Sequence, residues 1–238
     1  MRPAFYALPQ GSWRDYVTLL HLPYTAWHLA YVVVGGCLAA EVSWGRLGLT
    51  VLAFFLAMGI GAHALDELAG RPLQTVIPSS VLVALAVASV LAACVIGFVV
   101  AVSFSLWILP LIVAGAFLVP AYNLELFGGR FHSDVWFALA WGALPVVTGS
   151  VACAGTLRGA ALIAAAWATV LSLAQRRLST SVRRARRDVV AVTGELELAD
   201  GSREVVTREV LVAASEGALG LLAVATVLIA AALVAFRL

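Results

Sequence analysis

An all-α, polytopic transmembrane bundle of about seven spans is the fold class this sequence predicts, and three observations predict it. Hydrophobic residues make up 63% of the 238-residue chain and charged residues only 12%, too little polar surface to cover a water-soluble globule. Apolar runs recur at about the twenty residues that a hydrocarbon core of roughly 30 Å demands. Every basic residue is an arginine, and the arginines collect between those runs. The length allows a single transmembrane domain, residues 1–238, with one small soluble excursion at 178–208.

Taken in order, the opening MRPAFYALPQGSWRD lacks the continuous apolar core of a cleavable signal peptide, so the first helix is expected to stay in the protein. Ser12 with Asp15 reads as the N-cap and acidic first turn of an amphipathic lead-in helix, from 12 to about 22, that bends at Pro23. Spans are expected over about 23–40, 47–67, 79–99, 103–121, 134–153, 158–177 and 209–236. Pro110 is the expected kink of the fourth. STSVRRARRD extends the sixth helix into the headgroup layer. VVAVTGELELADGSREVVT then alternates apolar and polar residues about Asp200-Gly201, predicting a small cytoplasmic β-hairpin, either a simple flap or a surface for a partner protein.

Seven spans place the two termini on opposite sides. Arg2, Arg14, Arg71, Arg130, Arg176, Arg177, Arg183, Arg184, Arg186, Arg187, Arg203 and Arg208 then share the N-terminal side, against Arg46, Arg158 and Arg237 on the other. That bias makes the N-terminal side cytoplasmic. An arginine-only basic set among Ala, Val and Leu points to a GC-rich prokaryotic genome, hence to a prokaryotic inner membrane. Cys37, Cys94 and Cys153 stand singly in apolar segments without CxxC spacing and read as packing residues. No nucleic-acid partner is expected.

The chemistry collects at the cytoplasmic helix ends. In GAHALDELAGRPLQTVIP, His63, Asp66 and Glu67 have the i, i+3, i+4 spacing of one helical stripe, with Arg71 close behind. Carboxylates with substrate phosphates suit Mg²⁺, whereas imidazole beside carboxylate suits Fe, Zn or Mn. The same side carries His21, Tyr24, Asn123, Glu125, Arg130, His132 and Asp134, with His28 two turns below His21 and on its face unless Pro23 rotates the helix. His21, His28, His63, His132, Asp66, Glu67 and Glu125 are therefore the candidate metal ligands. Ser133 or Asp134 alternatively caps the fifth span, and Gly128-Gly129 offers backbone amides to an anion. The run from Arg176 to Arg187 reads as a topology determinant in preference to a phosphate clamp. Tyr24, Trp27 and Trp136 suit either an interfacial aromatic belt or the face of a cation.

DELAGRPLQT resembles the aspartate-rich NDxxDxxxD motif and following RPLPSG of the UbiA-type intramembrane prenyltransferases. Asp66 matches the middle aspartate, Ala62 and His63 stand at the first pair, and Gly70 stands at the last. LPYTAWHLAYVVVGG is similar to the RPxT start of that family's first helix, with Leu22 at the arginine, and AYNLELFGGRFHSDVWFALAWGALPVVTG is similar to its fourth loop and fifth helix. The resemblance covers about residues 20–180. It implies a membrane-lipid or isoprenoid substrate in a cavity open to the cytoplasm, with a divalent metal at Asp66 together with Glu67 or His63. It further implies Asp66, Glu67 and Arg71 as catalytic residues, Tyr24, Asn123 and Arg130 at the substrate, and prenyl transfer as the reaction. The family has nine helices and a second aspartate-rich motif after the sixth, where this chain reads QRRLSTSVRRARR with no acid before Asp188. Three function classes follow: a UbiA-like prenyl-transfer enzyme, a histidine/carboxylate transition-metal enzyme for lipid oxidation or hydrolysis, and a non-catalytic lipid-binding or assembly subunit.

Overall fold

The computed structural model describes residues 3–238. A short helix α1 (Ser12–Leu19) leads into α2 (Leu22–Cys37), followed by α3 (Trp44–Gly70), α4 (Ser79–Ser103), α5 (Ile108–Asn123), α6 (Asp134–Ala154) and α7 (Gly159–Asp188). An antiparallel pair, β1 (Glu195–Glu197) and β2 (Arg203–Val205), precedes the terminal α8 (Arg208–Arg237). Among the described residues six helical segments, α1 and α2 counting as one, are long and apolar enough to cross a membrane, and α5 is a shorter apolar helix. This is the build of a multi-pass membrane protein, and the elements lie where the apolar runs place them.

Burial separates the helices into a centre and a rim. The most apolar stretch of α6 is 67% buried and that of α1–α2 is 56%, against 22% for both α4 and α8. The centre is closed by two glycines. A Cβ on Gly35 of α2 would stand 2.0 Å from Val146 O of α6, and one on Gly149 of α6 would stand 2.1 Å from Val32 O of α2. The two backbones touch at these points, an approach that only glycine permits and that membrane helices use because apolar burial does not drive them together. Trp27, Tyr31, Val146, Ala168 and Leu219 fill the adjoining core of α2, α6, α7 and α8, while Met58, Ala62, Val119, Tyr122 and Trp141 join α3, α5 and α6.

Side chains at both ends close the helix termini. At the arginine-poor end, Arg46 donates to Ala152 O and Cys153 O at the C-terminus of α6, and Arg237 to Ala39 O and Ala40 O beyond α2, occupying carbonyls that a helix end leaves open. At the arginine-rich end, Arg186 forms a forked pair with Glu216 at 2.6 and 2.7 Å and ties the extension of α7 to α8. The hairpin pairs Leu196 with Glu204, and Gly201 turns it at φ +82°. Hydrogen bonds from the Ser202 hydroxyl and N–H to Asp200 Oδ1 hold that carboxyl below the usual aspartate range.

Three expectations about the backbone are corrected. The lead-in helix ends at Leu19 and the chain turns at His21, φ +46°; Pro23 instead occupies the first turn of α2, where its missing N–H has no helical acceptor to lose. Ser12 is not the N-cap. Gly11 holds that position and gives its N–H to Asp15 Oδ1 at 3.0 Å, while Asp15 Oδ2 accepts the Val76 N–H at 2.8 Å, so this acid is buried and not a solvated first-turn charge. Pro110 lies in the first turn of α5 and Pro120 is the proline inside it. The periodicity also gave no sign that α3 and α6 each contain a π-helical stretch, at Phe55–Ala62 and Leu139–Ala143.

Candidate functional site

The π-helical stretches of α3 and α6 bear on two of the histidines, His63 and His28. Pro145 has no N–H to offer the carbonyl four residues back, that of Trp141, and His28 Nδ1 meets this oxygen at 2.8 Å. His63 N–H goes to Ile60 O, and its imidazole Nδ1 meets Gly59 O at 3.1 Å. His132 Nδ1 meets Tyr122 O, in the last turn of α5, at 3.0 Å. Because a carbonyl only accepts, all three carry their proton on Nδ1 and present a lone pair at Nε2, a tautomer assigned from the network. Gln175 lies 3.4 Å from the His28 lone pair and Arg176 lies 3.3 Å from that of His132.

His21 and His63 meet face to face, 4.0 Å between centroids with planes 9° apart. Tyr6, from the segment before α1, bonds His21 Nδ1 at 2.8 Å and packs edge-on against Tyr24. Burial, with Tyr24 beside it, pushes the Tyr6 hydroxyl well above the usual tyrosine value and keeps it a donor. His21 and His28 do not share a partner: the αL turn at His21 directs it to His63, while His28 reaches α6 and α7.

The stripe of His63, Asp66 and Glu67 is divided among three neighbours. Glu67 is wholly buried and accepts the N–H groups of Leu73 and Thr75 and the Thr75 hydroxyl at 2.8 to 2.9 Å. Arg71, at φ +51°, folds over the same loop and donates to Ile77 O at 2.6 Å and to Ser79 Oγ at 2.8 Å. These two residues build the turn from α3 to α4. Asp66 alone makes no hydrogen bond or ion pair with the described residues, and the charges close enough to act on it are chiefly Arg187 and Arg183 of α7.

The remaining candidates fall around this carboxylate at different depths. Tyr24, half-buried on α2, lies within the field of Arg183, Glu216 and Arg187. Asn123 is buried and spends its amide on Val119 O at 2.7 Å. Glu125 is exposed, with an oxygen 3.9 Å from His132 Nδ1. Arg130 is exposed and bonds no described residue. Ser133 is the cap of α6, its hydroxyl accepting the Trp136 N–H, and Asp134 pairs with Arg176 at 2.9 Å.

This donor set does not fit a metal ion. Among the described residues no three His, Cys, Asp or Glu side chains are grouped to hold one. The oxygens of Glu67 are taken by three protein donors, and His28 is engaged at both nitrogens.

Below the polar group lies an apolar cavity of about 100 Å³ between α3, α4, α5 and α6, lined by Met58, Gly97, Val119, Trp141 and Thr148 among others. A dry cavity of this order holds a small apolar group. Met58, Val119 and Trp141 also pack against Tyr122, which stacks on His132 at 4.5 Å, so one layer of side chains separates the cavity from the charged end.

Sequence reasoning missed Tyr6 and set aside Arg183 and Arg187. Tyr6 carried no signal, but the spacings of seven and four from Arg176 to Arg183 to Arg187 already align those arginines along one helix face. No family model, curated protein or solved structure matches this chain.

Proposed function

We propose that this chain is a UbiA-like membrane enzyme that takes a lipid or isoprenoid from the cytoplasmic side, with its polar head beside Asp66 and its apolar chain toward the cavity between α3 and α6. The observation that carries the reading is the stacking of the two environments. An almost wholly apolar cavity lies one side-chain layer beneath the charged end, where Asp66 is left without a hydrogen bond or ion pair to the described residues. A membrane interior tolerates an unsatisfied acid poorly, and such residues mark substrate sites by default. The N-terminus lies in the cytoplasm in this reading, as the arginine bias requires. If the reaction is prenyl transfer, Tyr24 presents its aromatic ring to a developing allylic cation and the apolar walls exclude water from it.

A non-catalytic lipid-binding subunit is the second reading, favoured by the commitment of Glu67, Arg71 and Asn123 to the protein's own backbone. Substitution separates the two. Asp66→Ala should abolish turnover of a supplied prenyl or lipid substrate while leaving the amount of lipid that co-purifies, measured by mass spectrometry, within about twofold of wild type. Full cellular complementation by Asp66→Ala would sink the enzyme and leave the subunit.

A further inference from the structure

We infer that the arginine-poor end of the molecule, opposite the site described above, binds the head group of a zwitterionic phospholipid, with its phosphate at Arg237 and its ammonium at Glu41 and the Trp44 ring.

At that end a cleft of about 420 Å³, in the size range of small-molecule sites, opens where the chain leaving α2 meets the start of α3 and the end of α8. Glu41, Val42, Trp44, Phe236 and Arg237 line it. Arg237 Nη2 is anchored on Ala39 O and Ala40 O, which fixes the guanidinium beside the residue preceding Glu41, while its Nε and Nη1 bond none of the described residues. Glu41 is exposed and makes no hydrogen bond or ion pair with the described residues. Two opposite charges thus share one cleft without pairing.

Neither charge has another call on it. The segments brought together at this end, 38–46, 103–108, 154–159 and 236–238, contain no acid besides Glu41. Arg46 is committed to Ala152 O, Cys153 O and the face of Phe104, and Arg158 is not part of the cleft. A simple anion in the cleft would meet Glu41 and a simple cation would meet Arg237, so the ligand that satisfies both carries both charges. Guanidinium N–H groups suit phosphate oxygens, and a carboxylate beside an indole face suits an ammonium. The surroundings select a lipid over a soluble zwitterion. Trp44 is 40% exposed and Phe236 81%, and exposed apolar residues such as Leu52 and Ile229 continue along α3 and α8 below them. Aromatic side chains in such positions mark the edge of the hydrocarbon core, which leaves the acyl chains an apolar path beneath the head group.

The test is native mass spectrometry of the full chain, delipidated in detergent and given equimolar phosphatidylethanolamine and phosphatidylglycerol with matched acyl chains. Wild type should retain the ethanolamine lipid at least about fivefold more than the glycerol lipid. Glu41→Gln should erase that preference, and Glu41→Arg should turn it toward the glycerol lipid. Arg237→Gln should weaken both lipids together by at least about threefold. Glu197→Gln, at an exposed acid of the hairpin, should leave the preference within about twofold of wild type. Arg237 also closes carbonyls beyond α2, so thermal unfolding accompanies each variant and Glu41→Gln, which removes no bond to a described residue, decides the case. No preference in wild type, a preference that survives Glu41→Gln, or undiminished retention of both lipids by Arg237→Gln would each overturn the site. Glycerophosphoethanolamine, the same head group without acyl chains, is added as competitor. Displacement of the lipid only at about hundredfold excess or more supports the lipid assignment; displacement at lower excess makes a soluble zwitterion the ligand and overturns it.

Discussion

His28 of α2 and Trp141 of α6 are joined by a 2.8 Å hydrogen bond from imidazole Nδ1 to a backbone carbonyl that Pro145 cannot serve. An uncovered carbonyl in the hydrocarbon region is costly because no water replaces the missing donor, so a histidine placed at membrane depth here finishes a helix. This explains one of the four histidines without invoking chemistry, and the Gly59 O contact gives His63 a similar duty.

His28→Ala should therefore destabilise the fold by about 1–3 kcal/mol, the cost of leaving a buried acceptor unmade. Thermal unfolding in detergent would read it. His28→Ala at wild-type stability would show that the Trp141 carbonyl finds another donor.

Glu67 and Asp66 are neighbours with opposite duties, and substitution should show it. Glu67→Ala strips the buried acceptor from Leu73 N, Thr75 N and Thr75 Oγ1 and should cost about 1–3 kcal/mol for the donors left unpaired. Hydrogen exchange at residues 73 and 75 should rise in Glu67→Ala and stay unchanged in Asp66→Ala. The reverse pattern would exchange the two assignments.

Tyr6 gives the pH dependence. Its hydroxyl is held above the ordinary value of 10.0 by burial, so its neutral form is favoured in the fold; the resulting stabilisation is complete below the unfolded value and is lost as pH rises through the folded one. Absorbance titration at about 295 nm should give wild type and Tyr6→Phe the same alkaline rise through the ordinary tyrosine range, with any difference appearing at higher pH. A difference centred near pH 10 would mean that the segment before α1 leaves its place against His21.

Much of the fold was legible because one physical variable decided it. The apolar runs had to match the membrane thickness, and the alternation about Asp200-Gly201 had to make a hairpin, whatever the rest of the chain did. Local breaks were harder. Pro23, Pro110 and Ser12 each carried a real local preference, but a proline in a first turn costs a helix nothing, and a glycine with Asp15 outbid the serine.

The candidate site divides along the same line. Spacing alone determined that His63, Asp66 and Glu67 lie near one end of one helix and share a stripe, and the arginine bias grouped most of the chemistry-bearing residues on one side. Only the tertiary structure decided that Glu67 turns into the loop after α3, that His63 stacks on His21, and that Asp66 is left to Arg183 and Arg187. The reason is that helical periodicity sets a side chain's direction from its own axis, whereas its partner depends on which distant element arrives there. For Asp66 that element is α7, more than one hundred residues further along the chain.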